Sequence, residues 1–231
     1  MEELNESYGT LYIVATPIGN LEDITYRAVR ILSTVDTIAA EDTRVTGRLL
    51  NHYQIQSNLI SYHDHNKEER TPGLIDRLKA GRHIAIVSDA GTPGVSDPAF
   101  YLVREAIRNG MQVVPVPGPS SALAALVASG LPTDRWVFEG FLPRKKGRHT
   151  RLTELREETR TLIIYESKYR IQRTLEDILE YWGDRQVVVA REITKQFEEF
   201  VRGTPAEVIR YYDEHPVKGE FVLIVEGASD D

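Results

Sequence analysis

The chain has 231 residues, of which 27% are charged and 41% are hydrophobic, and its formal net charge at pH 7 is −7. This length allows one large or two small domains with ample core, and the composition is that of an ordinary globular protein. The absence of cysteine excludes disulfides, thiolate zinc sites, iron–sulfur clusters and cysteine nucleophiles. The acidic balance argues against a broad nucleic-acid-binding surface, which needs extended positive charge.

Membrane and targeting signals are missing from the sequence. No apolar run approaches the roughly 18 residues of a membrane span, and the acidic start Met1-Glu2-Glu3 is not a signal peptide. We therefore expect a cytoplasmic protein with no membrane partner. The patterns of phosphate-loop NTPases, of standard dinucleotide-binding folds and of the nucleophile elbow are also missing.

The first half of the sequence alternates predicted strands with predicted helices. Strands are expected at residues 10–15, 37–40, 58–62, 83–88 and 111–116, and helices at 24–35, 44–53, 72–79 and 98–109. Gly81 is a suitable C′ residue for the third helix, and Ser96 or Asp97 caps the fourth, with Pro98 in its first position. Regular alternation predicts a parallel sheet with helices on both faces.

The segment 115–119, with three prolines and a glycine, is the densest punctuation in the chain. We place a domain boundary there, which gives domains at 1–117 and 118–231. In the second, strands are expected at 136–138, 162–165, 187–190, 200–201 and 221–225, and helices at 122–128, 151–157, 171–182 and 206–212. Short strands with few intervening helices predict a mixed sheet, and we expect a cleft between the two α/β domains.

The segment from Ser88 to Pro98 carries the clearest indication of ligand binding. A buried strand ends at Asp89, and Gly91 and Gly94 flank a Thr-Pro turn before the next helix. Glycine lets the backbone approach a ligand closely, and the carboxylate accepts hydrogen bonds from hydroxyls or an amine. An ordinary strand–helix turn with a good cap is the alternative. The density of special residues favours a ligand loop, at the edge where open α/β sheets bind ligands.

Polar residues also follow other predicted strands of the first half. Glu41 and Asp42 are either a catalytic carboxylate pair or a helix N-cap with acids that the helix dipole favours. His63 and His65 face the same way on an extended segment, but no third ligand is evident, so hydrogen bonding is favoured and no metal is expected. All these segments should gather at one sheet edge, where a nucleoside-like cofactor with hydroxyls, an amine and an aromatic base would fit.

Five cations and no acid occur between Arg144 and Arg151. Such a run is usually a solvated loop. In an acidic protein it is also a suitable place for a local contact with a phosphate backbone.

Seven ordered motifs cover nearly the whole chain. They lie at residues 11–25 (LYIVATPIGNLEDIT), 41–44 (EDTR), 61–66 (SYHDHN), 84–98 (IAIVSDAGTPGVSDP), 117–122 (PGPSSA), 138–143 (FEGFLP) and 190–195 (AREITK). Together they closely resemble the signatures of the ribosomal RNA small subunit methyltransferase I family.

The resemblance implies a two-domain α/β tetrapyrrole-methylase fold, the class III methyltransferase architecture, with a parallel-sheet N-terminal domain and a mixed-sheet C-terminal domain. It implies S-adenosylmethionine as cofactor, a cytidine ribose 2′-oxygen in the decoding region of 16S rRNA as acceptor, the small ribosomal subunit as partner, and a homodimer. The positions that match cofactor-binding residues of the wider fold, with the turn after the first strand, are Pro17, Asp89, Ala90, Gly91, Thr92, Ser120, Ser121, Tyr165 and Ala190.

Methyl transfer to a 2′-hydroxyl requires positioning and the removal of one proton. The candidate general bases are Asp97, Glu139, Glu166 and Lys168. Glu139 is favoured because it lies in a motif near the domain junction, with a structural ion pair as the alternative, and Asp97 is expected only to cap a helix. Contact with RNA phosphates is expected from Arg144, Lys145, Lys146, Arg148 and Lys195.

Two motifs depart from the family pattern. Lys168-Tyr169 stands where Pro-His is usual, and Gln196-Phe197 stands where Leu-His is common. A catalytic role of those family histidines therefore does not carry over. Many members also have a helical extension, whereas this sequence ends at Asp231 directly after its last predicted strand. RNA contacts of that extension would then come from elsewhere, or the sequence is truncated.

Two other functions fit parts of the pattern. One is a tetrapyrrole C-methyltransferase of the same fold, which needs a pocket for a large polycarboxylate. The other is an adenosyl-ligand-binding protein that docks on the ribosome without catalysis.

Overall fold

The computed structural model describes residues 8–229, and the chain divides into two compact units after Ser120. The sequence-based boundary lay after Pro117. The next three residues belong to the first unit, and the first two of them contact it directly. A Cβ added to Gly118 would lie 2.9 Å from the Cβ of Ala15, and the carbonyl of Pro119 accepts a hydrogen bond from Thr92.

The first unit is an α/β structure with a parallel sheet, as predicted. Its elements are β1 (Thr10–Val14), α1 (Tyr26–Thr34), β2 (Thr37–Ala40), α2 (Thr43–His52), β3 (Leu59–Ser61), α3 (Lys67–Lys79), β4 (Ile84–Val87), α4 (Ala99–Arg108) and β5 (Gln112–Val116). Within the described range the strand order is β3-β2-β4-β1-β5, and every pairing is parallel.

Each face of this sheet has its own hydrophobic core. Ile84 and Ile86 pack with residues of α3 and α4, whereas Ala85 and Val87 pack with residues of α1 and α2. This alternation follows from the two-residue period of a strand. Every residue of β2 and β4 is buried, which is typical of parallel strands with helices on both faces.

Two helices of this unit begin at places other than those predicted. α3 begins at Lys67, before Pro72, because the N–H of Lys67 bonds to the carbonyl of His63 and starts the turn early. Pro72 therefore lies inside the helix, where its missing donor leaves one carbonyl without its usual helical bond. The first helix starts at Tyr26 rather than near Ile24, and a separate 3₁₀ turn at Leu21–Asp23 precedes it.

The second unit contains the predicted mixed sheet. Its elements are α5 (Ser121–Ser129), β6 (Trp136–Phe141), α6 (Arg148–Glu154), β7 (Thr161–Ser167), α7 (Ile171–Trp182), β8 (Val187–Arg191), β9 (Glu199–Gly203), α8 (Pro205–Glu214) and β10 (Glu220–Val225). In the described range the order is β6-β7-β10-β8-β9. β6 and β7 are parallel, and the remaining pairs are antiparallel.

Two predicted elements in this unit have bounds that differ from the structure by three residues. β6 continues to Phe141 instead of ending at Phe138, because a bulge between Phe138 and Gly140 absorbs the change of register. α6 starts at Arg148 instead of Arg151, after Gly147 with a φ of 82°. The cationic run is therefore half loop and half helix. No helix in the described part of the chain is long and apolar enough to span a membrane.

Candidate active site

In the first unit, the segments that follow the parallel strands meet at one edge of the sheet. Thr16 follows β1, and Gly91 lies in the loop after β4. Their backbones exchange hydrogen bonds of 2.9 and 3.0 Å. The hydroxyl of Thr92 donates to the carbonyl of Pro119, after β5, at 3.2 Å. The ends of β1, β4 and β5 are thus tied together, which gives the loop a defined shape.

The loop after β4 depends on left-handed backbone conformations. Gly91 has a φ of 80° and Gly94 a φ of 91°, and Ser96 has a φ of 67° without the freedom of glycine. A Cβ on Gly91 would meet Ile18 Cγ2 at an ordinary 3.4 Å. Conformation, rather than crowding, is therefore what requires glycine here. Ser96 alone of these three residues is strained, and such strain is found most often at functional sites.

Two carboxylates are held together at this edge. Asp89 Oδ1 accepts the backbone N–H of Asp42 at 2.9 Å, and the Asp89 backbone acts to lower the pKa of Glu41. Partial burial, followed by the negative charges of Asp89 and Asp97, raises the pKa of Glu41. This part of the edge is therefore electrically negative, and it favours a ligand that carries positive charge.

The sequence left two interpretations of Glu41 and Asp42, a catalytic carboxylate pair or a helix N-cap, and the structure gives the two residues different surroundings. Asp42 is the N-cap of α2, because its carboxylate accepts the N–H of Arg44 at 2.8 Å. Hydrogen bonds from the Arg44 guanidinium lower the pKa of Asp42 to about 2. Glu41 instead contacts the loop at Asp89.

A cavity of about 210 Å³ lies at this edge. The predicted cofactor-binding residues Pro17 and Asp89 line it, together with Thr16, Ser88 and side chains of α2. Ala90, Gly91 and Thr92 continue the same loop, and Ser120 ends the unit.

The remaining predicted cofactor-binding residues belong to the second unit. The Ser121 hydroxyl donates to Tyr165 Oη at 3.0 Å, and the Tyr165 ring has an edge contact with Phe138, with ring centroids 5.0 Å apart. Tyr165 and Ala190 both pair with Val222 of β10. Directly paired residues share a face, so Tyr165 and Ala190 lie on the same side of the sheet.

Glu139, the favoured general base, is held in an ion pair. Its side chain is 7% exposed. Its two oxygens accept hydrogen bonds from Arg151 Nη2 and Nε at 2.7 and 2.8 Å. Arg151 also contacts Glu154, and these bonds raise the pKa of Arg151. This geometry favours the structural ion pair over the general base, because a guanidinium stabilises the charged carboxylate.

The other candidate bases differ in their surroundings. Glu166 is fully buried and accepts bonds from Thr174 at 2.8 Å and from Arg170 at 3.0 Å. The carboxylate of Asp97 accepts the N–H groups of Gly94 and Ala99, so it anchors the start of α4. Burial raises the pKa of Asp97, and these two bonds act against it. Lys168 is exposed and pairs with no carboxylate in the described residues.

The predicted RNA-binding cations divide into two groups. Arg148 is structural: it bonds to Asp177 at 2.7 Å, to Thr174 at 2.9 Å and to the Pro143 carbonyl at 3.1 Å. Lys195 pairs with Glu192 and Glu220 at 3.0 and 2.9 Å. Burial would lower the pKa of Lys195, but these bonds outweigh it and raise the pKa.

The three remaining cations, Arg144, Lys145 and Lys146, are exposed and make no ion pair with any described residue. Their segment is fixed at both ends. Arg170 bonds to the Leu142 carbonyl at 2.7 Å, and Arg148 bonds to the Pro143 carbonyl. The second unit therefore presents this loop on a framework of buried charges.

The sequence analysis missed this framework. Asp177 and Thr174 are buried on α7, where both face Arg148. A signal did exist: Arg170, Thr174 and Asp177 are four and three residues apart, so they lie on one side of a helix whose other inward residues are apolar. Polar residues on an inward face need partners.

Two further features carry no predicted role. The rings of His63 and His65 lie 5.9 Å apart, and no cluster of three metal-binding side chains occurs within residues 8–229. A cavity of about 890 Å³ lies at the end of the second sheet where β7 begins, next to Thr161 and Trp182. It contains none of the predicted site residues.

Comparison with known proteins identifies the class. Residues 10–209 match the model of the tetrapyrrole (corrin/porphyrin) methylases. Similar solved structures include a diphthine synthase (TM-score 0.73, 14% identity, 95% of this chain and 90% of that one). A cobalt precorrin-4 methyltransferase is also similar (TM-score 0.65, 21% identity, 93% and 94% coverage). The chain belongs to the tetrapyrrole methylase family and has its fold.

Curated relatives give a finer placement. Proteins named ribosomal RNA small subunit methyltransferase I are 56% identical in Halalkalibacterium halodurans, over 95% of this chain and 76% of the relative. They are 53% identical in Synechocystis, over 96% and 80%. In Pasteurella multocida the identity is also 53%, over 97% and 81%.

Proposed function

We propose that this protein methylates small-subunit ribosomal RNA, with S-adenosylmethionine as methyl donor and a cytidine ribose 2′-oxygen in the decoding region of 16S rRNA as acceptor. The observation that carries the proposal is the 56% identity, over 95% of the chain, to a relative with this general activity in its name. The cytidine and its 2′-oxygen come from the motif resemblance.

The residues present fit such a cofactor. When bound, S-adenosylmethionine supplies a methyl group that its sulfonium already activates. In the first unit, the negative edge around Asp89 and Glu41 suits a ligand with positive charge and hydroxyls. Asp89 and Ala90, which precede the buried Gly91, are exposed at this edge.

We propose that the cofactor-binding residues predicted from the sequence contact this ligand. The first unit would contribute Pro17, Asp89, Ala90, Gly91, Thr92 and Ser120. In the second unit, the hydroxyls of Ser121 and Tyr165, which bond to each other, would contact the ligand near Ala190.

The acceptor hydroxyl must lose a proton, and a general base contributes on the order of 100-fold or more. Glu139 and Glu166 share their oxygens with arginines, which supports positioning roles for both. Lys168 is the candidate whose nitrogen is exposed and without a carboxylate partner in the described residues, so it is the one to test first, and only its uncharged amine could take the proton. Its replacement in Lys168→Met should lower kcat about 100-fold if it takes the proton, with cofactor affinity unchanged.

Glu139→Gln is the matched comparison. We expect a modest loss of activity and of stability, because glutamine keeps the shape but loses the charge that Arg151 requires. A loss of 100-fold in kcat, with cofactor affinity intact, would instead make Glu139 the base.

We further propose that Arg144, Lys145 and Lys146 contact phosphates of the small ribosomal subunit, and that the protein is a cytoplasmic homodimer. Sedimentation of the purified protein would determine the oligomeric state.

The decisive experiment for the function uses isotope-labelled S-adenosylmethionine and unmethylated small ribosomal subunits, followed by mapping of the modified ribose. Label in a decoding-region cytidine supports the proposal. A parallel reaction contains a tetrapyrrole acceptor instead of ribosomal subunits. Label transferred only to the tetrapyrrole, or cofactor binding with no transfer to either acceptor, would replace the proposal with one of the two alternative functions.

A further inference from the structure

At one edge of the second sheet, three exposed aromatic side chains lie on neighbouring segments. β6, β7 and β8 end at this edge, and β9 and β10 begin there, as the strand pairings require. Phe141 ends β6, Tyr169 follows β7, and Phe197 lies between β8 and β9. These residues are 56%, 84% and 67% exposed.

The same edge carries exposed positive charge. Arg144, Lys145 and Lys146 follow Phe141, and Lys168 precedes Tyr169, with its Nζ 4.9 Å from the centre of the Tyr169 ring. None of these cations pairs with a carboxylate in the described range. With strands about 4.8 Å apart, the edge from β6 to β9 is roughly 19 Å wide.

The acids at this edge are already engaged. Glu192 and Glu220 pair with Lys195, Glu198 accepts the backbone N–H of Thr194 at 2.6 Å, and Glu199 pairs with Arg191 at 3.1 Å. Their charge is partly balanced within the protein, whereas that of Arg144 to Lys146 and of Lys168 is available to a ligand.

Another exposed aromatic provides a contrast. Phe100, on α4 of the first unit, is also exposed. The cations near it, Arg104 and Arg108, both contact Glu105. At Phe100, unlike at the edge of the second sheet, the neighbouring cations are thus engaged by an acid.

We propose that this edge is a stacking surface for unpaired RNA. Bases would stack on Phe141, Tyr169 and Phe197, and phosphates would contact Arg144, Lys145 and Lys146. This inference rests on the proposed function and names its substrate class, which is a single-stranded or splayed segment of RNA. Rings with neighbouring cations bind single strands in this way, because every base has a π-face. A duplex keeps its bases stacked inside and offers no such face.

The residue types agree with this role. Phe141, Tyr169 and Phe197 all carry planar aromatic rings without a titratable imidazole. Stacking needs the ring and not the titration.

The test measures binding of the full chain to a fluorescent ten-nucleotide RNA, either unpaired or annealed to its complement. Tyr169→Ala and Phe197→Ala should each weaken binding of the unpaired RNA about 5- to 100-fold. Tyr169→Trp should retain binding. Phe100→Ala is the matched control and should bind like the unaltered protein.

Salt dependence separates the two kinds of contact. Replacement of Arg144, Lys145 and Lys146 by alanine should reduce the slope of log affinity against log salt by about 2, which is three phosphates at roughly 0.7 each. The ring variants should change affinity and leave the slope unchanged.

Equal affinity for duplex and unpaired RNA, or ring variants that bind unpaired RNA normally, would overturn the proposal. Ring variants that bind unpaired RNA normally but no longer bind the intact ribosomal subunit would assign the surface to a protein partner. That outcome would also overturn the proposal. Methyl transfer by the unaltered protein is assayed separately. If the rings bind unpaired RNA but no methyl group is transferred, only the proposed function is contradicted. If methyl transfer occurs but the rings do not contribute to RNA binding, only this inference is contradicted.

Discussion

The two units present different chemistry at the edges where their strands end. In the first unit, Glu41 and Asp89 make the edge negative, and backbone groups of tied loops form most of it. In the second, Arg144 to Lys146 and Lys168 make it positive, and exposed rings lie among them. A small ligand with positive charge suits the first edge, and a polyanion suits the second.

This difference explains how a chain of net charge −7 can act on RNA. Overall charge governs long-range attraction, but contact depends on local charge that is not already paired. The acids of the second unit neutralise Arg148, Arg151 and Lys195 and leave the loop at 144–146 free.

The largest expected effect concerns the framework beneath the positive edge. Asp177→Ala would leave Arg148 buried without its carboxylate, and loss of one partner of a buried pair costs about 3–5 kcal/mol. We expect a decrease of that size in the free energy of unfolding, measured with urea. Glu176→Ala, the neighbour on α7 whose bond to Arg173 is exposed, should change it by less than about 0.5 kcal/mol. Equal effects would mean that the buried pair is not the support of the loop.

A smaller effect is expected at the first edge, where backbone conformation matters most. Gly91→Ala places a side chain at a φ of 80°, which costs about 1–2 kcal/mol. We expect a similar loss of stability and about tenfold weaker binding of S-adenosylmethionine by calorimetry. Gly94→Ala, with a φ of 91° and open space around its Cβ, should lose stability without losing affinity. If both variants bind the cofactor normally, the loop does not hold it.

Much of this architecture could be predicted from sequence. Alternation of apolar segments indicated the parallel sheet, and the strand-end motifs such as Ser88 to Asp97 fell at its predicted edge. Strand direction explains this success, because parallel strands end on the same side and the residues after them must meet there.

The pairing of charges could not be predicted, because it depends on contacts between distant residues. Arg148 and Asp177 are 29 positions apart, and nothing local distinguishes Arg148 from Lys146. Glu139 illustrates the same limit, since its motif was compatible with catalysis until Arg151 was found to engage both of its oxygens.

The smallest effect tests the negative charge of the first edge. The raised pKa of Glu41, caused first by burial and then by Asp89, Asp97 and Asp64, means that its ionisation is less favourable in the folded protein. The Glu41 carboxyl group therefore stabilises the folded protein below the ordinary glutamate pKa of 4.5. This contribution is lost as the pH rises through the raised pKa of the folded state. Glu41→Gln should be more stable than the unaltered protein at neutral pH, by about 0.2–1 kcal/mol.

The difference in stability between Glu41→Gln and the unaltered protein should vanish at about pH 3.5, where Glu41 is protonated in both the folded and unfolded states. Glu180→Gln, at an exposed position on α7, is the control for the substitution itself. A Glu41→Gln variant that is less stable at neutral pH would mean that the charge of Glu41 is stabilised at this edge. The first edge would then attract its ligand less strongly through Glu41, and Asp89 would carry the interaction.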